Sequence, residues 1–246
     1  TRISGLRQQG SLKALFPHGA GPALEAVFLN TAGGLTGGDR MRIAAEVGPG
    51  ARVVISSQAA ERAYRARGPV PARVQVTLDV AAGGRVDWLP QETILFDGAA
   101  LERRLVVDLG TGARALIVES AILGREAMGE TVRQLRLSDR WEIRQAGRIV
   151  FADALRFGGD AAALMAWPGI GSGARAWAGL IFAGPDTAAF LDPVRALLPE
   201  TAGASLVREG ILFVRILAQD GFVLRQSLIP VIERLSGAAL PKVWRL

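Results

Sequence analysis

The side chains able to do chemistry in this 246-residue chain are few, because it has one histidine, His18, and no cysteine. Disulfides, zinc fingers, iron–sulfur clusters and thiol nucleophiles are therefore excluded, and with them any His-rich metal site. His18 lies in Phe16-Pro17-His18-Gly19, which reads as a surface turn after an extended run, and no Ser or Asp stands at a spacing that would make it a base. A serine elbow fails around Ser172, since Ile170 and Ala174 occupy the positions that need glycine. Carboxylates remain. Asp39, Glu61, Glu92, Asp97, Glu119 and Glu130 sit near glycines or strand ends, and for each alone a capping or ion-pairing role is the default. A set of them lining one internal path could pass a divalent cation, because oxygen ligands hold such ions more loosely than imidazole or thiolate.

Gly33-Gly34-Leu35-Thr36-Gly37-Gly38-Asp39 follows the apolar run Leu24 to Leu29. A glycine-rich turn after a strand can cradle a phosphate, but here Gly38 is followed by Asp39 instead of Lys and Ser/Thr, and no helix-forming segment follows. The expectation is a tight turn that fixes one carboxylate. Tyr64, the single tyrosine, is expected to pack and not to react.

Hydrophobic residues make up 50% of the chain and the net charge is +6. Mean hydropathy is +0.26, yet no run of about 18 apolar residues could span a bilayer. Excess apolar surface covered by obligate partners is one expectation from that balance. The positive charge is almost all arginine, with Lys13 and Lys242 the only lysines, and it alternates with acids as in Glu102-Arg103-Arg104. No basic stripe and no nucleic-acid motif appear, so neither nucleic acid nor membrane is an expected partner. Lack of cysteine fits a reducing, cytoplasmic setting; no signal peptide is visible, and a start at Thr1 reads as trimmed.

Three segments superimpose without gaps: 46–52, 79–85 and 108–114, each reading acid, aliphatic, two loop residues, Gly, small, Arg. Each follows one strand-like run and precedes another, with the clearest alternation at Val74, Val76, Leu78 and Val80. Recurrence at about thirty residues predicts a stacked, β-helix-like architecture, with an antiparallel meander as the rival. Further strands are expected at 131–137, 141–145 and 149–155 with a hairpin at Gly147, then a loop region over 158–173. Strands at 177–183 and 211–218 and two helices, 186–198 and 220–235, complete the reading. Pro193 and Pro230 are expected to bend or split those helices. The fold class is thus mainly β with about two helices in the C-terminal part: one domain over 1–246, repeat-built over 24–155 and mixed over 175–246.

The segment Asp87-Trp88-Leu89-Pro90-Gln91-Glu92-Thr93-Ile94-Leu95-Phe96-Asp97-Gly98 resembles the urease accessory protein UreD (UreH) family. The resemblance extends to the Gly33-Gly34…Gly38-Asp39 turn, to Tyr64-Arg65, to Gly124-Arg125-Glu126-Ala127-Met128-Gly129-Glu130, to Gln9-Gly10-Ser11-Leu12-Lys13 and to Pro241-Lys242-Val243-Trp244. It departs at Ala32, where the family commonly has Pro, and at Arg62-Ala63, where it often has Lys-Phe. The resemblance implies a non-catalytic urease maturation factor with a β-helix-like fold. It implies partners in a UreF-like protein, a UreG-like GTPase and the urease apoprotein, and no tightly bound cofactor. It also implies an internal route for transient Ni2+, for which Asp39 and Glu130 are the candidate metal residues. Gly33, Gly34, Gly38, Tyr64, Arg65, Trp88, Glu92, Asp97 and Arg125 are the motif and interaction candidates. Two rivals stay open: a carbohydrate-active β-solenoid enzyme, which needs a carboxylate pair in an aromatic-lined groove, and a structural adaptor without an ion path.

Overall fold

The computed structural model describes residues 1–18 and 21–245, so the turn expected at 16–19 runs into Gly19, outside the described residues. Among the described residues fifteen strands form: β1 (Leu12–Leu15), β2 (Leu24–Asn30), β3 (Arg40–Val47), β4 (Arg52–Ser57), β5 (Glu61–Ala63), β6 (Ala72–Val80), β7 (Arg85–Leu89), β8 (Thr93–Leu95), β9 (Ala99–Leu109), β10 (Arg114–Leu123), β11 (Leu135–Gln145), β12 (Arg148–Gly159), β13 (Ala176–Ala183), β14 (Ala202–Arg208) and β15 (Ile211–Ala218). The helices are α1 (Ala161–Ala166), α2 (Leu191–Arg195) and α3 (Gly221–Ser236).

The first half winds as four coils, each laying one strand in either of two sheets. β2, β4, β7 and β10 are parallel neighbours in the first sheet, and β3, β6, β9 and β11 are parallel neighbours in the second. Parallel pairing settles the matter against a meander. The first sheet continues antiparallel through β13, β15 and β14, and the second is closed by the hairpin partner β12, turning at Ala146-Gly147.

The repeated Gly-small-Arg turns stack on one edge. Ala81 N–H donates to Val47 O at 2.9 Å and Gly110 N–H to Val80 O at 2.8 Å, while Arg85 N–H reaches Ala51 O and Arg114 N–H reaches Gly84 O. Ala51, Gly84 and Ala113 thus occupy equivalent positions. Gly50, Gly83 and Gly112 share the left-handed conformation, with φ of 63°, 65° and 67°, which explains why the repeat keeps glycine there.

Alternation decides which side chains enter the space between the sheets. Val76, Leu78, Val86, Trp88, Leu105, Val107, Ile117 and Ile143 form the inner core. The outer face of the first sheet is apolar as well, and α3 covers it: Leu224, Leu228, Val231, Ile232 and Leu235 pack on Leu116, Val118, Leu180, Val214 and Ile216. Fully burying each such side chain is worth about 1.5–3 kcal/mol. The outer face of the second sheet presents Arg73, Gln75, Thr77 and Asp79 to solvent.

α3 matches its expected span, capped by the Asp220 carboxylate on Val223 N–H at 2.8 Å and ended by Gly237 with φ 67°. Pro230 does not split it, because that position faces solvent and water can satisfy the carbonyl one turn back. The helix expected over 186–198 is instead a 3₁₀ turn, Thr187–Phe190, followed by α2. Pro193 fits only a first helical turn, so the helix starts just before it. Strands expected at 131–137 and 141–145 are one strand, β11. Within the expected loop 158–173, α1 forms, capped by Asp160 on Ala163 N–H.

Candidate functional site: an axial cavity and a braced loop edge

The coils do not fill their own axis. A cavity of about 220 Å³ runs through it, lined by Phe28, Asn30 and Met41 of the first coil, Ser57, Glu61 and Val76 of the second, Trp88, Thr93 and Arg103 of the third, and Glu119 of the fourth. Gly33, Gln58 and Arg62 at one end are exposed; Arg103 and Glu119 at the other are buried.

That buried end is built from charged residues on the apolar side of their strands. Arg103 stands between Leu101 and Leu105 on β9, Glu119 between Ile117 and Ala121 on β10, and Asp139 between Leu137 and Trp141 on β11. Arg103 and Asp139 are also paired in register across β9 and β11. The guanidinium grips Asp139 with two donors, Nε to Oδ1 at 3.0 Å and Nη2 to Oδ2 at 2.5 Å, and gives Nη1 to Glu119 Oε2. Trp88 Nε1 donates to Glu119 Oε1 at 2.8 Å and Trp141 Nε1 to Asp139 Oδ1 at 3.0 Å. Burial disfavours the Arg103 cation, but the fields of Asp139 and Glu119 outweigh it and hold the group more firmly protonated than usual. Burial pushes Glu119 up, against Arg103 and with the help of Asp139. At the outer end burial also raises Glu61, which accepts from Arg62 N–H and Asn30 and feels the charge of Asp39.

The turns on the opposite edge of the coils are long, and the motif residues gather there. Tyr64 packs edge-on against Phe96 with ring centroids 4.9 Å apart, and its hydroxyl donates to Gly33 O at 3.1 Å. Gly34 is obligatory: a Cβ there would lie 2.3 Å from the Tyr64 ring and 2.8 Å from Arg62 O. Asp97 Oδ2 accepts from Arg65 Nη2 at 2.5 Å, and Oδ1 accepts the N–H groups of Arg133 and Gln134, both at 2.9 Å. Glu130 accepts from Asp97 N–H through Oε1, and from Arg125 N–H and Nε through Oε2. Partial burial works to raise both acids, but the Arg133 and Gln134 N–H groups with Arg65 hold Asp97 below its ordinary range, and Arg125 with the Asp97 N–H does the same for Glu130. Arg125 also lies over Phe96, 4.5 Å from its centroid.

Asp39 is exposed and accepts Thr36 N–H at 2.8 Å, the expected carboxylate-fixing turn, while Gly38 N–H reaches Pro71 O. Asp39 and Glu130 are not brought together: Glu130 lines a surface cleft with Tyr64, Arg65, Asp97 and Arg125 to which Asp39 does not contribute. Among the described residues no three His, Cys, Asp or Glu side chains converge to hold a metal. Glu92 accepts from Arg225 Nε at 3.1 Å and Nη2 at 3.0 Å and so joins the third coil to α3. Sequence reasoning passed over Arg103 and Asp139. The signal was present as charged residues in phase with the buried Leu101 and Leu105 on β9 and with Leu137 and Trp141 on β11.

These features define a class: a two-sheet parallel β-solenoid with a helix-covered flank, an axial cavity that holds a few charged groups and one braced loop edge. The sequence model for the UreD urease accessory protein matches residues 1–245, and the chain belongs to that family. A protein of Ruegeria pomeroyi named urease accessory protein UreD is 48% identical over 244 residues, 99% of this chain and 95% of its own length. Those of Rhizobium rhizogenes and Cereibacter sphaeroides, bearing the same name, are 49% and 48% identical and are covered over 90% and 89% of their lengths.

Proposed function

We propose that this chain is a non-catalytic urease maturation factor that joins UreF-like and UreG-like partners on the urease apoprotein in the cytoplasm, and that nickel passes through it during GTP-dependent insertion. The observation that carries the passage is the axial cavity, which is exposed at one end and has a carboxylate near each end, Glu61 and Glu119. Oxygen ligands of this kind release a cation as readily as they take it. Asp39 stands outside as an approach residue whose charge is felt at Glu61. Glu130, with both oxygens already accepting, serves in this reading to brace the loops. Nickel is cargo here, and no cofactor stays bound.

Co-expression with urease and the partner proteins tests the proposal. Glu61→Gln and Glu119→Gln should each lower the nickel content of urease several-fold while pull-down of the complex is unchanged. Normal nickel content in both would sink the passage and leave the adaptor reading, which is favoured by the number of motif residues spent on bracing. Against the carbohydrate-enzyme reading, Trp88, Trp141, Trp177 and Trp244 are buried in the core, which leaves Trp167 as the exposed tryptophan where an aromatic-lined groove needs several.

A further inference from the structure

We infer that Arg103 is a stopper built into the inner end of the axial cavity: its guanidinium occupies the cation position at Glu119, and a divalent cation can take that position while Arg103 stays held by Asp139. The inference rests on the proposed passage, and it makes Arg103 a positioning residue whose displacement sets when Glu119 is free.

Three observations support it. The cavity ends on Arg103 and Glu119, whereas Asp139 lies behind the guanidinium and does not line the cavity. The two carboxylates hold Arg103 unequally: Asp139 takes Nε and Nη2 in a two-donor fork, and Glu119 takes Nη1 alone. A bidentate arginine pair is the stronger and more directional of the two, so loss of the Glu119 contact leaves Arg103 anchored. Finally, Glu119 needs something positive. Burying a carboxylate costs several kcal/mol unless a cation or donors compensate, and besides Arg103 it has the Trp88 indole N–H. Thr93 Oγ, 3.4 Å from Arg103 Nη1 on the same cavity wall, is a neutral oxygen that an ion at Glu119 Oε2 could share. Two carboxylates around one guanidinium leave the buried cluster with a net negative charge, which favours the approach of a cation to Glu119.

The test measures nickel binding to the purified full chain by equilibrium dialysis, with circular dichroism to verify folding. Arg103→Gln should open the position and raise the affinity for one nickel ion by roughly tenfold or more. Arg103→Gln combined with Glu119→Gln should lose that gain. If Arg103→Gln does not fold, Arg103→Gln with Asp139→Asn removes one charge of each sign, keeps the net charge of the cluster and poses the same question. Arg103→Lys, which retains a cation, should stay near the wild-type affinity. Unchanged affinity in the folded opened variant overturns the stopper whatever urease activation does. Tight, Glu119-dependent binding together with normal urease activation by Glu119→Gln would uphold the stopper and overturn the passage alone.

Discussion

Trp244 donates its indole N–H to the carbonyl oxygen of Leu89 at 2.9 Å, a bond between residues 155 positions apart. Around it, Gln91 Nε2 reaches Val243 O at 2.9 Å and Arg225 Nη2 reaches Gln91 Oε1 at 2.7 Å, with the Arg225 guanidinium 5.3 Å from the Trp244 ring centroid. The Trp-Leu-Pro-Gln-Glu segment and the Pro-Lys-Val-Trp segment, read separately in the sequence, are two halves of one clamp.

Trp244→Ala should therefore lower unfolding stability by about 3–5 kcal/mol, the cost of emptying a buried indole site. Trp244→Phe keeps most of the packing and should lose about 1 kcal/mol for the hydrogen bond. Urea titration of both variants measures the two contributions. Equal losses would mean that packing around the indole matters little.

Acid should weaken the long-loop edge. Asp97 and Glu130 are held below their ordinary values of 3.8 and 4.5, so the folded state binds fewer protons than the unfolded chain. The stabilisation they give is complete above those values and is lost as pH falls through the lower folded ones. Thermal melts of Glu130→Gln between neutral and acid pH should be less stable than wild type at neutrality and less steep in acid. Parallel curves would show that the Arg125 and Asp97 contacts carry no charge-dependent stability.

Gly34→Ala should destabilise by about 1–3 kcal/mol, because the new methyl meets both the Tyr64 ring and a backbone oxygen. Tyr64→Ala in the same background removes the first clash and leaves the Arg62 carbonyl, so rescue should be incomplete. Complete rescue, read by melting temperature, would place the whole constraint on the ring.

Phe222 is 71% exposed and Trp167 67%, although the apolar stripe behind Phe222 on α3 is buried in the chain's own core. The stripe is thus not the surface on which a UreF-like partner would act. Phe222→Ser should change stability by no more than about 0.5 kcal/mol. If the partner covers this end, the substitution should weaken co-elution in size-exclusion chromatography; unaltered co-elution with it and with Trp167→Ser would place the partner elsewhere.

The coils were legible because each level of the chain agreed: alternation at Val74 to Val80, a left-handed glycine at Gly50, Gly83 and Gly112, and a following arginine all describe one turn. The cap and stop of α3 were legible for the same reason, since Asp220 and Gly237 act locally. α1 was missed although Asp160 precedes Ala161-Ala162-Ala163, because flanking glycines outweighed a six-residue helix. The internal network escaped for a different cause. The apolar phase of Arg103 and Asp139 hinted at their burial, but Arg103, Glu119 and Asp139 are spread over 36 residues and their meeting depends on three strands stacked in register, which local phase does not give.

The helix that covers the first sheet is the last one made. Leu116 and Val118 have left the ribosome long before Val231 and Ile232 exist, and at roughly 5–20 residues per second the interval is of the order of ten seconds. Throughout it the growing chain carries an uncovered apolar sheet and an unlatched third coil. Poor recovery of such a protein when made alone would then be a matter of timing during synthesis, and a helper that shields the nascent sheet would raise the yield without touching any surface of the finished molecule.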